Sequence, residues 1–130
     1  MWECPECGHS TNADEEKECI SCGWESKKAL KLVSEETGRE KTLWLKLTLG
    51  KDLLQGFAGE GAKYADEPQF SVFPTADNEW VLEKVEKVKN PTFHNGAQPT
   101  EDTVVLKNGD TISIGSRNTD AQVMKLKVNL

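Results

Sequence analysis

Short apolar runs that alternate with polar residues recur along most of the 130-residue chain. The clearest run is residues 42–49, and the leucines at its every second position are Leu43, Leu45, Leu47 and Leu49. A second run is residues 123–130, and its alternating apolar members are Met124, Leu126, Val128 and Leu130. A repeat of two residues places such side chains on one face of a β-strand. Both runs are therefore predicted to be strands with one buried face.

Turn-forming residues separate further strand candidates. Residues 69–73 form a short aromatic and β-branched run that Pro74 closes. Residues 104–114 predict a hairpin, because the central Asn108-Gly109 favours the left-handed conformations of tight hairpin turns. Residues 79–89 carry valines at a helical spacing, but their β-branched content and the neighbouring strands favour a strand. Several short strands with turns between them predict a mainly β fold, either a sandwich or a barrel.

The net charge of −6 is concentrated near the N-terminus. Residues 1–26 contain seven acidic residues and one lysine, whereas residues 27–130 contain fifteen acidic and fifteen basic residues. Nucleic-acid binding draws much of its affinity from Lys and Arg side chains that neutralise phosphates. The acidic N-terminal part therefore argues against a nucleic-acid partner.

Membrane and secretion signals are not recognisable in the sequence. No run of 18 apolar residues is present, so we expect no transmembrane helix and no membrane partner. The acidic N-terminus has neither the basic nor the apolar region of a signal peptide. We therefore expect a cytoplasmic protein, in which thiols stay reduced and paired cysteines indicate metal more often than disulfide.

All four cysteines lie in residues 1–25, with the spacing Cys4-x2-Cys7-x11-Cys19-x2-Cys22. Two such pairs complete the tetrahedral set of thiolates that Zn²⁺ prefers, and a site with four protein ligands is structural rather than catalytic. Two disulfides fit a reducing compartment poorly, and a redox dithiol would need a βαβ context. The sequence therefore predicts a zinc ribbon over residues 1–25 and a β domain over residues 26–130.

Residues 2–24 resemble a zinc ribbon, and they are also similar to the Ran-binding-protein type of zinc finger. The positions that match the second pattern in order are Trp2, Cys4, Cys7, Asn12, Cys19 and Cys22, with one extra residue before Asn12. That resemblance implies binding to single-stranded RNA or to ubiquitin. The scarcity of basic side chains in this part disfavours RNA.

Residues 29–130 resemble a forkhead-associated (FHA) domain. The resemblance rests on the order of "LTLGK", "KNPTFHNG" and "LKNGDTISIG", followed by the last alternating strand. FHA domains are β-sandwiches of two twisted sheets that typically bind phosphothreonine peptides through loops at one end. The resemblance therefore implies an FHA-like β-sandwich with a protein or peptide partner.

The resemblance also implies a peptide-binding set, which consists of Gly50, Lys51, Ser71, Lys89, Asn90 and Asn95. Lys51 stands where the family has arginine, and lysine lacks the planar fork that grips two phosphate oxygens. The family's Ser-x-x-His pair falls between residues 61 and 73, where Ser71 is the candidate hydroxyl and histidine is absent. Pro91 replaces a glycine and removes a backbone donor. The resemblance thus implies a preserved scaffold with a degenerate phosphothreonine site.

The combined pattern predicts a non-enzymatic protein–protein interaction module. Residues 56–61 are rich in glycine but lack the Lys-Ser/Thr pair of a phosphate-binding loop, so they are expected to form a flexible surface loop. His94 has no recognisable nucleophile near it, so we expect neither a triad nor any other role for it. One alternative is a functional phosphothreonine reader. Another is nucleic-acid or ubiquitin binding through the zinc ribbon.

Overall fold

The computed structural model describes residues 1–13, 15–16, 18–85, 88–115 and 122–130, and two antiparallel β-sheets dominate these residues. The five-stranded sheet contains β1 (Leu30–Ser34), β2 (Glu40–Leu43), β6 (Thr92–His94), β8 (Thr111–Gly115) and β9 (Gln122–Asn129). The four-stranded sheet contains β3 (Leu47–Leu49), β4 (Phe70–Pro74), β5 (Trp80–Lys84) and β7 (Thr103–Val105). Helix α1 (Lys51–Phe57) and a 3₁₀ helix (Glu60–Tyr64) connect β3 to β4.

The two sheets pack on each other around one apolar core, which confirms the predicted β-sandwich. The strand order is β2-β1-β9-β8-β6 in one sheet and β3-β4-β5-β7 in the other. Met124, Leu126 and Val128 of β9 are buried in this core, as the alternation predicted. The core also holds Trp80, which is fully buried and donates its indole N–H to the carbonyl of Lys28 at 2.7 Å.

Residues 42–49 do not form the single strand that their alternation predicted. β2 ends at Leu43 in the five-stranded sheet, and β3 begins at Leu47 in the four-stranded sheet. Between them the chain crosses from one sheet to the other, and Leu45 packs against an N-terminal apolar cluster that includes Trp2 and Trp24. A period of two cannot reveal this crossing, because the leucines keep their spacing on both sides of it.

The predicted hairpin at residues 104–114 is also wrong. Its first strand, β7, lies in the four-stranded sheet, and its second strand, β8, lies in the five-stranded sheet. The Leu106 N–H donates to the carbonyl of Trp80, whereas the Gly109 N–H donates to the carbonyl of Val128, each at 2.8 Å. Gly109 does adopt a left-handed φ of 91°. The turn signal was therefore sound, but the turn connects two sheets instead of two paired strands.

The glycine-rich residues 56–61 are not the predicted surface loop. The first of them end α1, and Gly61 lies within the 3₁₀ helix. Phe57, Ala58 and Ala62 are buried against the sandwich core, and this burial stabilises short helices that glycine alone would disfavour. Neither helix of the described residues has the length and apolar character needed to cross a bilayer. The strand predicted within residues 79–89 is confirmed as β5, and residues 86–87 lie outside the described ranges.

The N-terminal segment packs onto the sandwich. Trp24 donates its indole N–H to the carbonyl of Ala76 at 2.9 Å. The side chain of Asn78 accepts the N–H of Lys27 at 2.6 Å and donates to the carbonyl of Glu25 at 3.3 Å. These bonds hold residues 24–27 in place on the sandwich. The boundary between residues 25 and 26 stays a prediction.

Candidate functional site

The four cysteines converge, and they are called the cysteine cluster below: Cys4, Cys7, Cys19 and Cys22. Their sulfur atoms all lie within 4.8 Å of one another. The shortest separations are 3.6 Å, from Cys4 Sγ to Cys22 Sγ and from Cys7 Sγ to Cys19 Sγ. A disulfide would need about 2.05 Å, so the thiols are free. The cluster therefore has the donor set and the dimensions of a four-thiolate metal site.

A tight turn forms each half of the cysteine cluster. Gly8 donates its N–H to the carbonyl of Cys4 at 3.0 Å, and Gly23 donates to that of Cys19 at 2.9 Å. The two glycines have φ of 79° and 81°. A Cβ on Gly8 would meet nothing within 4 Å, so the left-handed conformation requires this glycine, and lack of space does not.

The thiol pKa values of Cys19 and Cys22 are shifted in opposite directions. Burial acts to raise the pKa of the Cys19 thiol, but N–H groups of Cys22 and Ser21 outweigh it and lower the pKa to about 6. The Trp24 N–H acts to lower the pKa of Cys22, but burial and the three neighbouring sulfurs raise this pKa to about 12. Four thiolates this close together would repel one another, and a bound cation would offset that repulsion.

Asn12 links the two halves of the cysteine cluster. It is fully buried, and its Nδ2 donates to the carbonyls of Trp2 and His9 at 3.4 and 3.3 Å. Its Oδ1 accepts the N–H of Ile20 at 3.0 Å. Trp2 in turn packs edge-on against Trp24, with ring centroids 5.9 Å apart. Trp2 and Asn12 thus support the fold around the cysteines.

The second candidate site lies where β3 ends, β4 begins and the chain approaches β6. The backbone N–H of Lys51 donates to the carbonyl of Asp66 at 3.1 Å. The backbone N–H of Lys89 donates to the Asp66 carboxylate at 2.6 Å. Asp66 therefore holds two lysine-bearing loops together, although they are far apart in the sequence.

Gly50 and Glu67 are in direct contact at the same end of the sandwich. A Cβ at position 50 would overlap the Glu67 carboxylate, so the absence of a side chain lets this acid approach the backbone. The same carboxylate accepts the N–H of Asp52 at 3.1 Å. The backbone around Gly50 is thus already in contact with an acid of the same chain.

Asn90 is buried, with 7% of its surface exposed. Its Nδ2 donates to the carbonyl of Tyr64 at 2.9 Å, and its own carbonyl accepts from Gln69 Nε2 at 2.8 Å. Gln69 also donates to the hydroxyl of Thr92 at 3.0 Å. Within the described part of the chain, Asn90 Oδ1 has no hydrogen-bond partner. The Asn90 side chain thus holds the loop against Tyr64 through its Nδ2, while its buried Oδ1 is left without a partner among the described residues.

The structure brings together four of the six residues that the resemblance implied, and we call them the loop cluster: Gly50, Lys51, Lys89 and Asn90. Ser71 is buried in β4, with its hydroxyl 2.9 Å from that of Thr48 on the neighbouring strand β3. Asn95 directly follows β6 and adopts φ of 51°. Its side chain accepts the N–H of Thr111 at 2.8 Å. Ser71 and Asn95 thus make contacts within the sandwich.

His94 has a structural role, contrary to the expectation from the sequence. Its Nε2 lies 2.7 Å from the carboxylate of Asp110, which also accepts from the Lys107 N–H at 2.9 Å and from Asn95 Nδ2 at 3.1 Å. Burial acts to raise the pKa of Asp110, but the hydrogen bonds from His94, Lys107 and Asn95 outweigh it and hold the pKa below its ordinary value of 3.8. His94 thereby fixes the turn that joins the two sheets.

Acid is expected to weaken this contact. Because the pKa of Asp110 is lowered in the folded state, its carboxylate stabilises the fold above its unfolded-state pKa, and that contribution is lost as the pH falls through the folded-state pKa. Between about pH 5 and pH 2, the free energy of unfolding should therefore fall less in Asp110→Asn than in the wild type. Urea titrations at each pH measure this. Asp102→Asn, at an exposed position, is the control, and equal pH slopes in the wild type and Asp110→Asn would contradict the role.

Sequence reasoning missed Asp66, Glu67 and Gln69, which connect the loop cluster. They lie in residues 61–73, the stretch where the resemblance places a Ser-x-x-His pair. Asp66 and Gln69 have the same separation of three residues, directly before β4. That spacing was the available signal. It was missed because the family pattern predicts a serine and a histidine at these two positions.

The cysteine cluster and the loop cluster lie at opposite ends of the four-stranded sheet. Leu45, which packs with the N-terminal cluster, precedes β3, and Gly50 follows it. β4 runs back from the loop cluster toward Ala76, which contacts Trp24. Five residues of extended chain span on the order of 13 Å. The length of the sheet therefore separates the two clusters.

Solved structures similar to this chain include FHA domains. The N-terminal FHA domain of Rad53p from S. cerevisiae, in complex with a phosphothreonine peptide, has a TM-score of 0.61 and 13% identity over 79% of this chain and 94% of that chain. The FHA domain of an Arabidopsis thaliana hypothetical protein has a TM-score of 0.56 and 18% identity over 78% and 85%. The FhaA FHA domain, complexed with the intracellular domain of Rv3910, has a TM-score of 0.55 and 17% identity over 78% and 98%.

No protein-family model matches the sequence, and no curated protein matches it significantly. The structural matches have low sequence identity, so they establish the fold alone. The two antiparallel sheets of this chain have the FHA fold, and a segment with four clustered cysteines precedes them.

Proposed function

We propose that this protein is a non-enzymatic module that binds a peptide segment of a partner protein through the loop cluster. The observation that carries the proposal is the convergence of Gly50, Lys51, Lys89 and Asn90 at one end of an FHA fold. Loops held by a rigid scaffold are common binding sites, because they offer backbone and side-chain groups without disturbing the core. The Rad53p domain of similar fold is bound to a phosphothreonine peptide, which supports a peptide as the class of ligand.

The phosphate-binding part of this site is degenerate in our proposal. Lys51 offers a point charge instead of a guanidinium fork, and Pro91 has no N–H to donate. The hydroxyl of Ser71 is paired with Thr48 inside the sheet. Ser71 and Asn95 then support the loops, while the loop cluster contacts the ligand.

The cysteine cluster, in the same proposal, holds a structural Zn²⁺. A tetrahedron with Zn–S bonds of about 2.3 Å has edges of about 3.8 Å, close to the two shortest sulfur separations of 3.6 Å, and all four sulfurs lie within 4.8 Å of one another. The four ligands would be Cys4, Cys7, Cys19 and Cys22, which leave no open coordination position for chemistry. The ion would offset the charge of the thiolates and hold the two turns together.

Binding to defined peptides tests the proposed function. The probe is a peptide library in which every sequence is present with threonine and with phosphothreonine. The tightest-binding peptide should bind Lys51→Ala and Asn90→Ala about tenfold more weakly than the wild type, because each variant removes a polar contact at the loop cluster. Fluorescence anisotropy measures the dissociation constants, and the amide spectrum of each variant reports its folding.

Lys107→Ala is the matched control for this experiment. It removes the same charge at an exposed position in the turn before β8, at the end of the sandwich opposite the loop cluster, and should leave the affinity unchanged. Lack of binding by every library peptide would contradict the proposed function, as would equal affinities of all four proteins. A strong preference for the phosphorylated member of each pair would contradict a degenerate phosphate site.

A further inference from the structure

Two carboxylates of this chain accept hydrogen bonds from backbone N–H groups at the loop cluster. The Asp66 carboxylate accepts the N–H of Lys89 at 2.6 Å. The Glu67 carboxylate accepts the N–H of Asp52 at 3.1 Å and lies against Gly50, where a Cβ would overlap it. Backbone N–H groups are the donors that an anionic ligand would need at such a site. At these positions the protein itself already supplies the anion.

The charge of these acids opposes a phosphorylated ligand. A phosphothreonine carries close to two negative charges at neutral pH. Asp66 is half-buried, and the repulsion between two like charges is less screened in such a position than in bulk water. The phosphate would have to displace Asp66 from the Lys89 N–H or remain beside it. Both outcomes weaken binding.

The atom left unsatisfied in this region is an acceptor. Asn90 Oδ1 is buried and has no partner within the described ranges, whereas its Nδ2 is bonded to Tyr64. Because this oxygen is covered by the protein, its missing partner does not select between a neutral and a phosphorylated ligand. The choice of ligand therefore depends on Asp66 and Glu67, through their charge and their hydrogen bonds to backbone N–H groups.

We propose that Asp66 is a specificity-determining residue, which excludes phosphate from the loop cluster so that the site takes an unphosphorylated peptide. This inference rests on the proposed function, because it concerns the ligand of the same site. Glu67 assists by accepting the hydrogen bond of the nearby Asp52 N–H. The site is thereby independent of phosphorylation in the partner protein.

Two substitutions of Asp66 separate the effect of its negative charge from the effect of its hydrogen bond with the Lys89 N–H. Asp66→Ala removes both, and Asp66→Asn removes the charge but keeps an oxygen acceptor. The probe is inorganic phosphate, and the readout is the chemical shift of the Lys89 amide in ¹⁵N spectra of the full chain. Asp66→Ala should bind phosphate at least about tenfold more tightly than the wild type, with Asp66→Asn between them. Asp77→Asn, an exposed acid in the turn after β4, should behave as the wild type does.

The outcomes of this titration decide the inference separately from the proposed function. If phosphate shifts the Lys89 amide equally in the wild type and Asp66→Ala, or shifts it in neither, Asp66 does not exclude phosphate and the inference is wrong. These spectra need no partner peptide. A failure of the proposed function would appear in the peptide titrations instead, either as a lack of binding by the wild type or as equal affinities of the wild type and the loop-cluster variants. Where a library peptide binds, Asp66→Ala should also raise the relative affinity of its phosphorylated form.

Discussion

Complete removal of zinc with a chelator is expected to unfold residues 1–25 while the sandwich stays folded. The apolar core of this segment consists of Trp2, Cys4, Cys19 and Trp24, with Leu45 packed against them. So little buried surface cannot offset the entropy of ordering the chain. Binding of a structural Zn²⁺ contributes about 10–16 kcal/mol in comparable peptides. The sandwich has a separate and larger core, which does not depend on the ion.

Near-ultraviolet circular dichroism and limited proteolysis measure this effect. The edge-on pair of Trp2 and Trp24 should lose its near-ultraviolet signal on chelation, and the N-terminal segment should become sensitive to protease. Cys22→Ser should produce the same change in the presence of zinc. Ser21→Ala, at the neighbouring exposed position, is the matched control. Survival of the signal and of the protease resistance after complete chelation would contradict a zinc site.

Replacement of Trp80 with alanine should lower the free energy of unfolding of the sandwich by about 3–5 kcal/mol. Trp80 has no exposed surface, so the substitution leaves a large cavity at the start of β5. It also removes the indole donor from the carbonyl of Lys28, at 2.7 Å in the wild type. The second loss weakens the attachment of the segment between the cysteine cluster and the sandwich.

Urea denaturation monitored by far-ultraviolet circular dichroism gives the size of this effect. Trp44→Ala is the matched control, because Trp44 keeps 36% of its surface exposed in the crossing between β2 and β3. The control should change the free energy of unfolding by less than about 1 kcal/mol. Similar losses in both variants would show that burial of Trp80 does not dominate the stability.

The sequence predicted those features that depend on residues close together along the chain. The spacing of the cysteine pairs is local, and the four sulfur atoms do cluster. The alternation of residues 123–130 correctly predicted the buried face of β9. The left-handed turn at Gly109 also follows from a local signal, the Asn108-Gly109 pair. Each of these depends on backbone preferences that a few neighbouring residues determine.

Features that depend on distant contacts escaped prediction. The crossing at Leu45 follows from its packing against Trp2 and Trp24, and no local pattern encodes that packing. The turn at Gly109 connects two sheets because Val128, far along the chain, accepts its N–H. In the candidate site, a family pattern located Lys51 and Lys89. The acids between them were missed because their role appears only when the loops meet.

The placement of the cysteine cluster and the loop cluster at opposite ends of the four-stranded sheet has a practical consequence for assembly. Attachment of the protein to a surface, or to another molecule, through its first residues would leave the loop cluster facing away from the attachment. Trp24 and Asn78 fasten the N-terminal segment to the sandwich, so this orientation is held and is not averaged by a loose tether. A molecule that holds the N-terminal segment would therefore leave the loop cluster accessible to a separate ligand.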